Sequence, residues 1–404
     1  MTQIYQPLIA LAAISSASWL YLLAFRGRFW LCDQRLSPAL DQTLDPWPSI
    51  WAIVPARNEA SVLPQSLRSL LSQTYPGRFQ VMLVDDQSTD GTADVARQTA
   101  QVCSAEDALQ IITTEPLPTG WSGKLWAVHQ GIAQVMQAQH EPLPDYFLLT
   151  DADIFHGVDN LKQLVLKAER DRLDLVSLMV LLRCESLWEK LLIPAFVFFF
   201  QKLYPFPWVN QPQNAMAAAA GGCILVRRDV LMAVGGIEVI RKALIDDCAL
   251  GAAIKHHRNP QGNTGRIWLG LTTTTTSLRP YPSLQTIWEM VARTAFTQLS
   301  YSVGLLLLSL LGMTLLYAFP PVGLAWGWVM GTSAIALLAG LAWALMTLAY
   351  WPTIRLYGLS PLWALTLPLV GLLYTLMTVD SAVRHFQGRG GAWKGRVYAT
   401  ETVK

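Results

Sequence analysis

Charge is what this sequence has little of. Only 14% of its 404 residues are Asp, Glu, Lys or Arg, where soluble domains carry about 25%. The two signs nearly cancel, leaving a formal net charge of +2. Nothing in that balance points to a polyanionic partner, so nucleic-acid binding, a fully soluble enzyme and a disordered chain are all poor fits. Cysteine is sparse as well. Cys32, Cys103, Cys184, Cys223 and Cys248 are odd in number, scattered and without a Cys-x-x-Cys pair. That pattern argues against a disulfide framework or a zinc site and fits a reduced compartment. Internal repeats are absent, and low complexity is confined to Thr272–Thr276, a β-branched run suited to a strand.

What is abundant is apolar. Hydrophobic residues make up 52% of the chain and tryptophan occurs 16 times, as expected where amphipathic rings sit at a bilayer surface. Leu8–Phe25 is uncharged and just long enough to span a hydrocarbon core of ~30 Å. No Lys or Arg precedes it and no small-x-small cleavage site follows, so residues 1–28 read as a transmembrane helix rather than a signal peptide. Arg26, Arg28 and Arg35 then hold the following segment in the cytoplasm, with Met1 outside. Residues 301–380 contain three more apolar runs: Ser302–Phe319, Leu324–Tyr350 and Leu362–Val379. Pro320-Pro321 and the Arg355-containing connection separate them. Three full crossings would leave the tail 381–404 outside, yet Arg384, Arg389, Lys394, Arg396 and Lys404 favour the cytoplasm. A re-entrant or interfacial last run, the one containing Pro368, removes that conflict. The expected location is the inner (plasma) membrane, multi-pass, with a cytoplasmic catalytic domain.

Residues 48–280 are globular in composition. WAIVPA, VMLVDD and YFLLTDAD alternate with helix-like stretches, which predicts β-α-β units and an α/β fold with a mostly parallel sheet. Leu191–Val209, interrupted by Pro194, Lys202, Pro205 and Pro207, reads either as a buried core helix or as an interfacial one. Residues 281–300 read as a second interfacial helix. Each of the three strand-like runs ends in polar residues, and open α/β sheets bind ligands beyond the carboxyl ends of their strands.

Two acidic motifs lie at such positions, and a third lies elsewhere. Asp85 and Asp86 adjoin at a strand end and need donors or cations there; the following Ser88-Thr89-Asp90-Gly91 also suits a plain turn with a helix cap. Asp151 and Asp153 are two residues apart, so in extended chain they face the same way. With a diphosphate they make a natural Mg²⁺ or Mn²⁺ site. Asp246 and Asp247 form the third motif, read either as a base for an acceptor hydroxyl or as the N-cap of a helix starting near Cys248. Lys124 opens a helix after a glycine-bearing loop, a setting for an anion. Arg293 stands just before the membrane portion, either facing a leaving diphosphate or anchoring a helix at the headgroups. The histidines, His129 and His256-His257 among them, give no ligand spacing.

In order, VPARNEA, VDDQSTDGT, GWSGKLWAVHQG, TDAD, AGGCILVRRDVLMAVGG and IDDCALG resemble the inverting family-two glycosyltransferases of GT-A fold. The resemblance covers Val54–Leu250. With the flanking membrane runs, ARTAFTQL and the GGAWKGRVY tail, the chain is most similar to the hopene-associated glycosyltransferases. Ceramide glucosyltransferases and bacterial carotenoid glycosyltransferases share the plan more distantly. The resemblance implies that Pro55, Arg57 and Glu59 lie on the nucleotide side. It gives Asp86, beside Asp85, a uracil contact. It makes Asp151 and Asp153 the Asp-x-Asp pair, with Asp153 the more direct metal ligand, and sets Asp247 as general base, with Asp246 where Glu is usual. Gly221 and Gly222 match the glycine pair before the Arg-Arg motif. The Gln/Arg-x-x-Arg-Trp motif of ceramide-processing and cellulose-making relatives is not kept. Only Arg293 matches it, with Met290 and Thr294 in the other places, which argues against a processive synthase.

The function so implied is transfer of one sugar, from a UDP-sugar, to a lipid hydroxyl of hopanoid or related isoprenoid type. Its alternatives are transfer to polyprenyl phosphate and a non-catalytic membrane scaffold.

Overall fold

The computed structural model describes residues 5–36, 43–137, 142–258, 261–388, 392–393 and 396–397. Most of the basic tail and its GGAWKGRVY motif therefore lie outside the described residues. Along the chain run α1 (Gln6–Phe25), β1 (Ile50–Ala56), α2 (Leu63–Leu71), β2 (Phe79–Asp85), α3 (Thr92–Val102), β3 (Leu109–Thr113) and α4 (Gly123–Gln137). Then come β4 (Tyr146–Thr150), β5 (Ile154–Phe155), α5 (Asn160–Arg170), β6 (Leu175–Leu181), α6 (Leu187–Leu203), α7 (Phe206–Val209), β7 (Cys223–Arg227) and α8 (Arg228–Ala233). The last are α9 (Asp246–His256), β8 (Ile267–Ser277), α10 (Leu284–Ala292), α11 (Val303–Met313), α12 (Phe319–Val329), α13 (Ser333–Leu356) and α14 (Leu367–Phe386). They form two compact units: 34–183 with 208–280, and 1–33 with 184–207 and 281–404. The segment 184–207 thus belongs to the helical unit and not to the sheet domain in which the sequence sets it.

The first unit is built on one eight-stranded sheet in the order β3-β2-β1-β4-β7-β6-β8-β5. β3, β2, β1 and β4 are mutually parallel, β7 runs antiparallel between β4 and β6, and β8 is parallel to β6. The sheet is mixed, with its parallel half where the sequence predicts it. β1 reads Ile-Trp-Ala-Ile-Val-Pro-Ala and is buried at every position, the unbroken apolar pattern of a strand covered on both faces. Leu63, Leu67 and Leu70 form the buried stripe of α2, and α4 closes on the sheet through Gly131, where a Cβ would come within 2.8 Å of Ile53 and Val84. Thr272–Thr276 lie within β8, as their β-branching favours. Ala56, Asp85 and Thr150 end adjacent parallel strands, and β7 begins beside that end, Thr150 pairing with Cys223. Loops from four strands therefore open at one edge.

The second unit contains four helices long and apolar enough to cross a membrane: Gln6–Phe25, Val303–Val329, Ser333–Leu356 and Pro361–Phe386. Their boundaries correct the expected ones. Pro320-Pro321 does not separate two runs, because α11 passes into α12 through a π-helical turn, Thr314–Ala318. The N–H of Phe319 bonds to the carbonyl of Thr314. In that i→i−5 register the two prolines, which have no N–H, leave the carbonyls of Leu315 and Leu316 unpaired. α1 supplies the missing donors: Ser15 Oγ donates to Leu315 O at 2.9 Å and Trp19 Nε1 to Leu316 O at 3.0 Å. Inside an apolar bundle such pairing is what makes a helix-interior proline tolerable.

α12 and α13 form a close antiparallel hairpin of small residues: a Cβ at Gly327 would meet Ala336 backbone at 2.5 Å, and one at Gly323 would meet Ala339 at 3.0 Å. α14 is antiparallel to α11, since His385 stacks on Tyr301 and Gly371 packs on Tyr317. Two helices antiparallel to the same rod are parallel to each other. The short segment 357–366 therefore runs back along α13, where Pro361, Ala364 and Leu365 share an apolar groove with Gly340, Trp343 and Trp351.

α6 settles among these helices. Ser186 and Glu189 cap it reciprocally, and Leu192, Ile193, Val197 and Phe198 are buried. Tyr374 donates its hydroxyl hydrogen to Leu192 O, and Phe199 packs on Tyr374. One face of this segment is thus buried against those helices. In α10, Trp288 donates to the Asp380 carboxylate at 2.7 Å, fixing it against α14.

Candidate active site

The strand-end loops of the first unit gather five carboxylates around two cations. Lys124, in the first turn of α4, lies 2.8 Å from Asp151 and 3.5 Å from Asp246. Burial opposes the charge on its ammonium, but Asp151 and Asp246 outweigh it and hold it protonated beyond the usual lysine range. Burial pushes the Asp151 carboxyl up; Lys124 pulls the other way and Asp153 adds to the rise. On the other side Arg279, which follows β8, donates through Nε to Asp153 at 3.0 Å and through a terminal nitrogen to Glu59 at 3.0 Å. Ser277 also donates to Asp153, at 3.1 Å.

Asp247 is held differently. The helix α9 starts at Asp246, two residues earlier than expected, so Asp247 lies within its first turn. One carboxylate oxygen accepts the Cys248 N–H at 2.7 Å and the other accepts the Gly221 N–H at 2.9 Å. The helix-cap reading does not hold: the cap position is Ile245, without a side-chain bond, and Asp247 accepts instead from the next residue and from a separate loop. Gly221 has a steric reason to lack a side chain: a Cβ there would come within 3.3 Å of the Lys124 ammonium and 3.5 Å of Asp247. Burial, reinforced by the charge of Asp246, pushes Asp247 up to about 6, against the pull of Lys124 and the two N–H groups.

The first two loops form a rigid floor. Arg57 donates to the Asp86 backbone carbonyl at 2.6 Å and pairs with its carboxylate at 3.5 Å. Thr114 donates to the same carboxylate at 3.1 Å, and Asp86 is 1% exposed. Asp85 accepts the Ser88 N–H, and Asp90 accepts from Thr92, so the Ser-Thr-Asp-Gly stretch does act as a turn. Pro55 is a strand residue of β1. The structure therefore brings Glu59, Asp151, Asp153, Asp246, Asp247 and Lys124 into one polar region, with Arg57, Asp85 and Asp86 in the adjoining floor. Arg293 belongs to the other unit, where it is an exposed residue at the end of α10.

Two contributors escaped sequence reasoning. Arg279 carried no motif; a basic residue shortly after a strand was the only signal. The second is His156, fully buried and pushed down to about 4 by burial. Asn160 donates to its Nδ1 at 3.1 Å, which leaves the proton on Nε2 for Thr150 at 3.0 Å, and Thr150 in turn donates to Gly222 O at 2.8 Å. This relay ties the loop bearing Asp151 and Asp153 to the loop bearing Gly221.

The residues fit a divalent cation in part. The ion pairs with Lys124 and Arg279 engage one oxygen of Asp151 and one of Asp153. No group of three or more acidic, His or Cys side chains among the described residues makes a complete site. A hard cation takes six or more oxygens, so diphosphate and water would have to complete the shell.

Residues 51–235 match the family Glycosyl transferase family 2. This portion of the chain is a glycosyl transferase family 2 domain, and its sheet is of the GT-A type. The chain is 26% identical over 116 residues to the probable glycosyltransferase YdaM of Bacillus subtilis, covering 28% of this chain and 27% of that protein. It is 33% identical over 107 residues to the 4,4'-diaponeurosporenoate glycosyltransferase of Staphylococcus haemolyticus, covering 26% and 24%. The chain thus spans about a quarter of the length of these relatives. Among solved structures, the mannosyltransferase PcManGT of Pyrobaculum calidifontis, in complex with GDP-Man and Mn²⁺, aligns over 94% of this chain and 99% of its own at 19% identity and a TM-score of 0.49.

Proposed function

We propose that the protein is a membrane-bound inverting glycosyltransferase that moves one sugar from a nucleotide sugar, a UDP-sugar, to the hydroxyl of a membrane lipid of polycyclic or isoprenoid type. The observation that carries this reading is Asp247. A half-buried carboxylate pinned by two N–H groups and raised to about 6 has the strength of a general base working near neutral pH. Each of its oxygens accepts one hydrogen bond and has a second lone pair for an incoming O–H.

In the reaction the acceptor oxygen attacks the anomeric carbon from the face opposite the diphosphate. The new C–O bond forms as the bond to the diphosphate breaks, the electron pair leaves with the diphosphate oxygen, and the acceptor proton passes to Asp247. One displacement inverts the configuration. Lys124, already shared between Asp151 and Asp246, is placed to balance the charge that grows on the leaving group. Asp153 and Asp151 would hold an Mg²⁺ or Mn²⁺, which supplies further neutralisation of the diphosphate. Asp86, Asp85 and Arg57 form the nucleotide floor.

The lipid acceptor is supported by the four apolar helices and by a relative named for 4,4'-diaponeurosporenoate. For the orientation we take the helix directions as support: with α13 and α14 parallel, the last apolar run would dip into the bilayer and return. α14 ends on the face where α11 begins, and we assign that face, like the sheet domain, to the cytoplasm, at an inner membrane. The test is to supply radiolabelled UDP-glucose, UDP-N-acetylglucosamine and UDP-galactose to membranes carrying the protein and to extract lipid. Label in a base-stable lipid product, lost in Asp247→Asn, is expected. Label confined to an acid-labile phosphate ester, independent of Asp247, would assign the activity to polyprenyl phosphate instead.

A further inference from the structure

We propose that Arg279 is a built-in counter-cation, which pairs with Asp153 and Glu59 and gives up Asp153 to a divalent cation only as a nucleotide diphosphate takes its guanidinium. The inference rests on the reading of Asp153 as the metal-side ligand. It begins with coverage. The side chains of Glu59 and Asp153 are 12% and 9% exposed, whereas Arg279, which bonds both, is 39% exposed. The guanidinium thus lies over two shielded carboxylates, on the side open to solvent. Two such charges without a cation are strongly unfavourable, so the site needs one before any ligand arrives.

Asp153 does not depend on Arg279 for its position. Ser277 donates to the same carboxylate oxygen, and the Leu278 N–H bonds to the Asp153 carbonyl. Pairing of Ile154 with Ser277 fixes the strands behind them. Arg279 can therefore leave while the carboxylate stays. A divalent cation cannot share that oxygen with a guanidinium 3.0 Å away, because the two positive charges repel. A diphosphate resolves the competition. It offers the planar fork a bidentate anion, so the arginine moves to phosphate as the cation moves to Asp153. Nucleotide and metal then bind with positive coupling, and by linkage each tightens the other by the same factor.

The experiment is a Mn²⁺ titration by electron paramagnetic resonance on the full-length protein in detergent, with and without UDP. UDP is expected to tighten Mn²⁺ binding to the wild type within the usual coupling range, about 5–150-fold. Arg279→Gln should bind Mn²⁺ without UDP roughly tenfold more tightly than wild type, with most of the UDP effect gone. Arg279→Lys, which keeps the charge but not the fork, should fall between them. A folded Arg279→Gln that binds Mn²⁺ no better than wild type, or a wild type in which UDP has no effect, would overturn the proposal. If the Gln variant does not fold, the wild-type and Lys titrations decide alone. Asp153→Asn separates the two levels. Mn²⁺ binding unchanged in that variant would overturn the metal reading itself, whereas binding lost there but insensitive to Arg279 would overturn only the present inference.

Discussion

The two units of this protein satisfy buried polar groups in opposite ways. In the helical unit, four side-chain donors go to backbone carbonyls of neighbouring helices: Ser15 to Leu315, Ser16 to Leu338, Trp19 to Leu316 and Tyr374 to Leu192. Those pairs are neutral, and nothing needs to displace them. In the sheet unit the carboxylates Asp151, Asp153 and Glu59 are met by the cations Lys124 and Arg279, which a phosphate can recruit. The first arrangement fixes helices; the second, on the proposed function, keeps charges in reserve for a ligand. The difference predicts which substitutions cost activity and which cost stability.

The largest effect is expected on the charged side. Asp153→Asn should abolish transfer and weaken UDP binding in Mn²⁺, while expression and membrane insertion persist. Full activity in that variant or in chelator would place the site among merely structural ion pairs. A smaller effect sharpens the assignment of the base. Because Asp247 is raised to about 6 by burial and by Asp246, turnover should fall as pH drops through about 6. Asp246→Asn removes a negative neighbour, so its acid limb should move to lower pH; a limb that stays in place would mean another group is titrating. The smallest effects belong to the helical unit. Ser15→Ala and Trp19→Phe each strand one carbonyl that the proline pair has already left without an N–H. Each should lower stability by about 0.6–2 kcal/mol with near-normal turnover per folded molecule. A tenfold loss of turnover at unchanged stability would erase the contrast between the units.

Legibility in the sequence follows the same division. Asp85-Asp86 and Asp151-Ala-Asp153 could be placed at strand ends, where α/β sheets bind ligands, whereas Asp246-Asp247 could be tied only to a helix start. The threonine run could be placed in a strand from β-branching alone. Arg279 could not be found, because its partners Asp153 and Glu59 lie 126 and 220 residues away in sequence, and only the closing of β5 on β8 brings them together. The proline pair misled for a related reason. Its local meaning is a helix break, and the donors that cancel this meaning come from α1, some 300 residues earlier. α6 likewise belongs with helices remote in sequence, which no window around Pro194 reveals.

The central claim is that Asp247 accepts the proton of a lipid hydroxyl, and one paired measurement tests it most directly: lipid glycosylation and UDP-sugar affinity of Asp247→Asn on the same folded preparation. Asn keeps the size of the side chain and one acceptor but cannot take the proton at neutral pH. Turnover is expected to fall about 10²–10⁴-fold, the usual worth of general-base assistance, with donor affinity little changed because Asp86, Lys124 and the Asp151–Asp153 pair are intact. Asp246→Asn on the same scale should lose less. A folded Asp247→Asn that turns over near the wild-type rate would contradict the mechanism and leave Asp247 as the anchor of a helix start and a glycine loop.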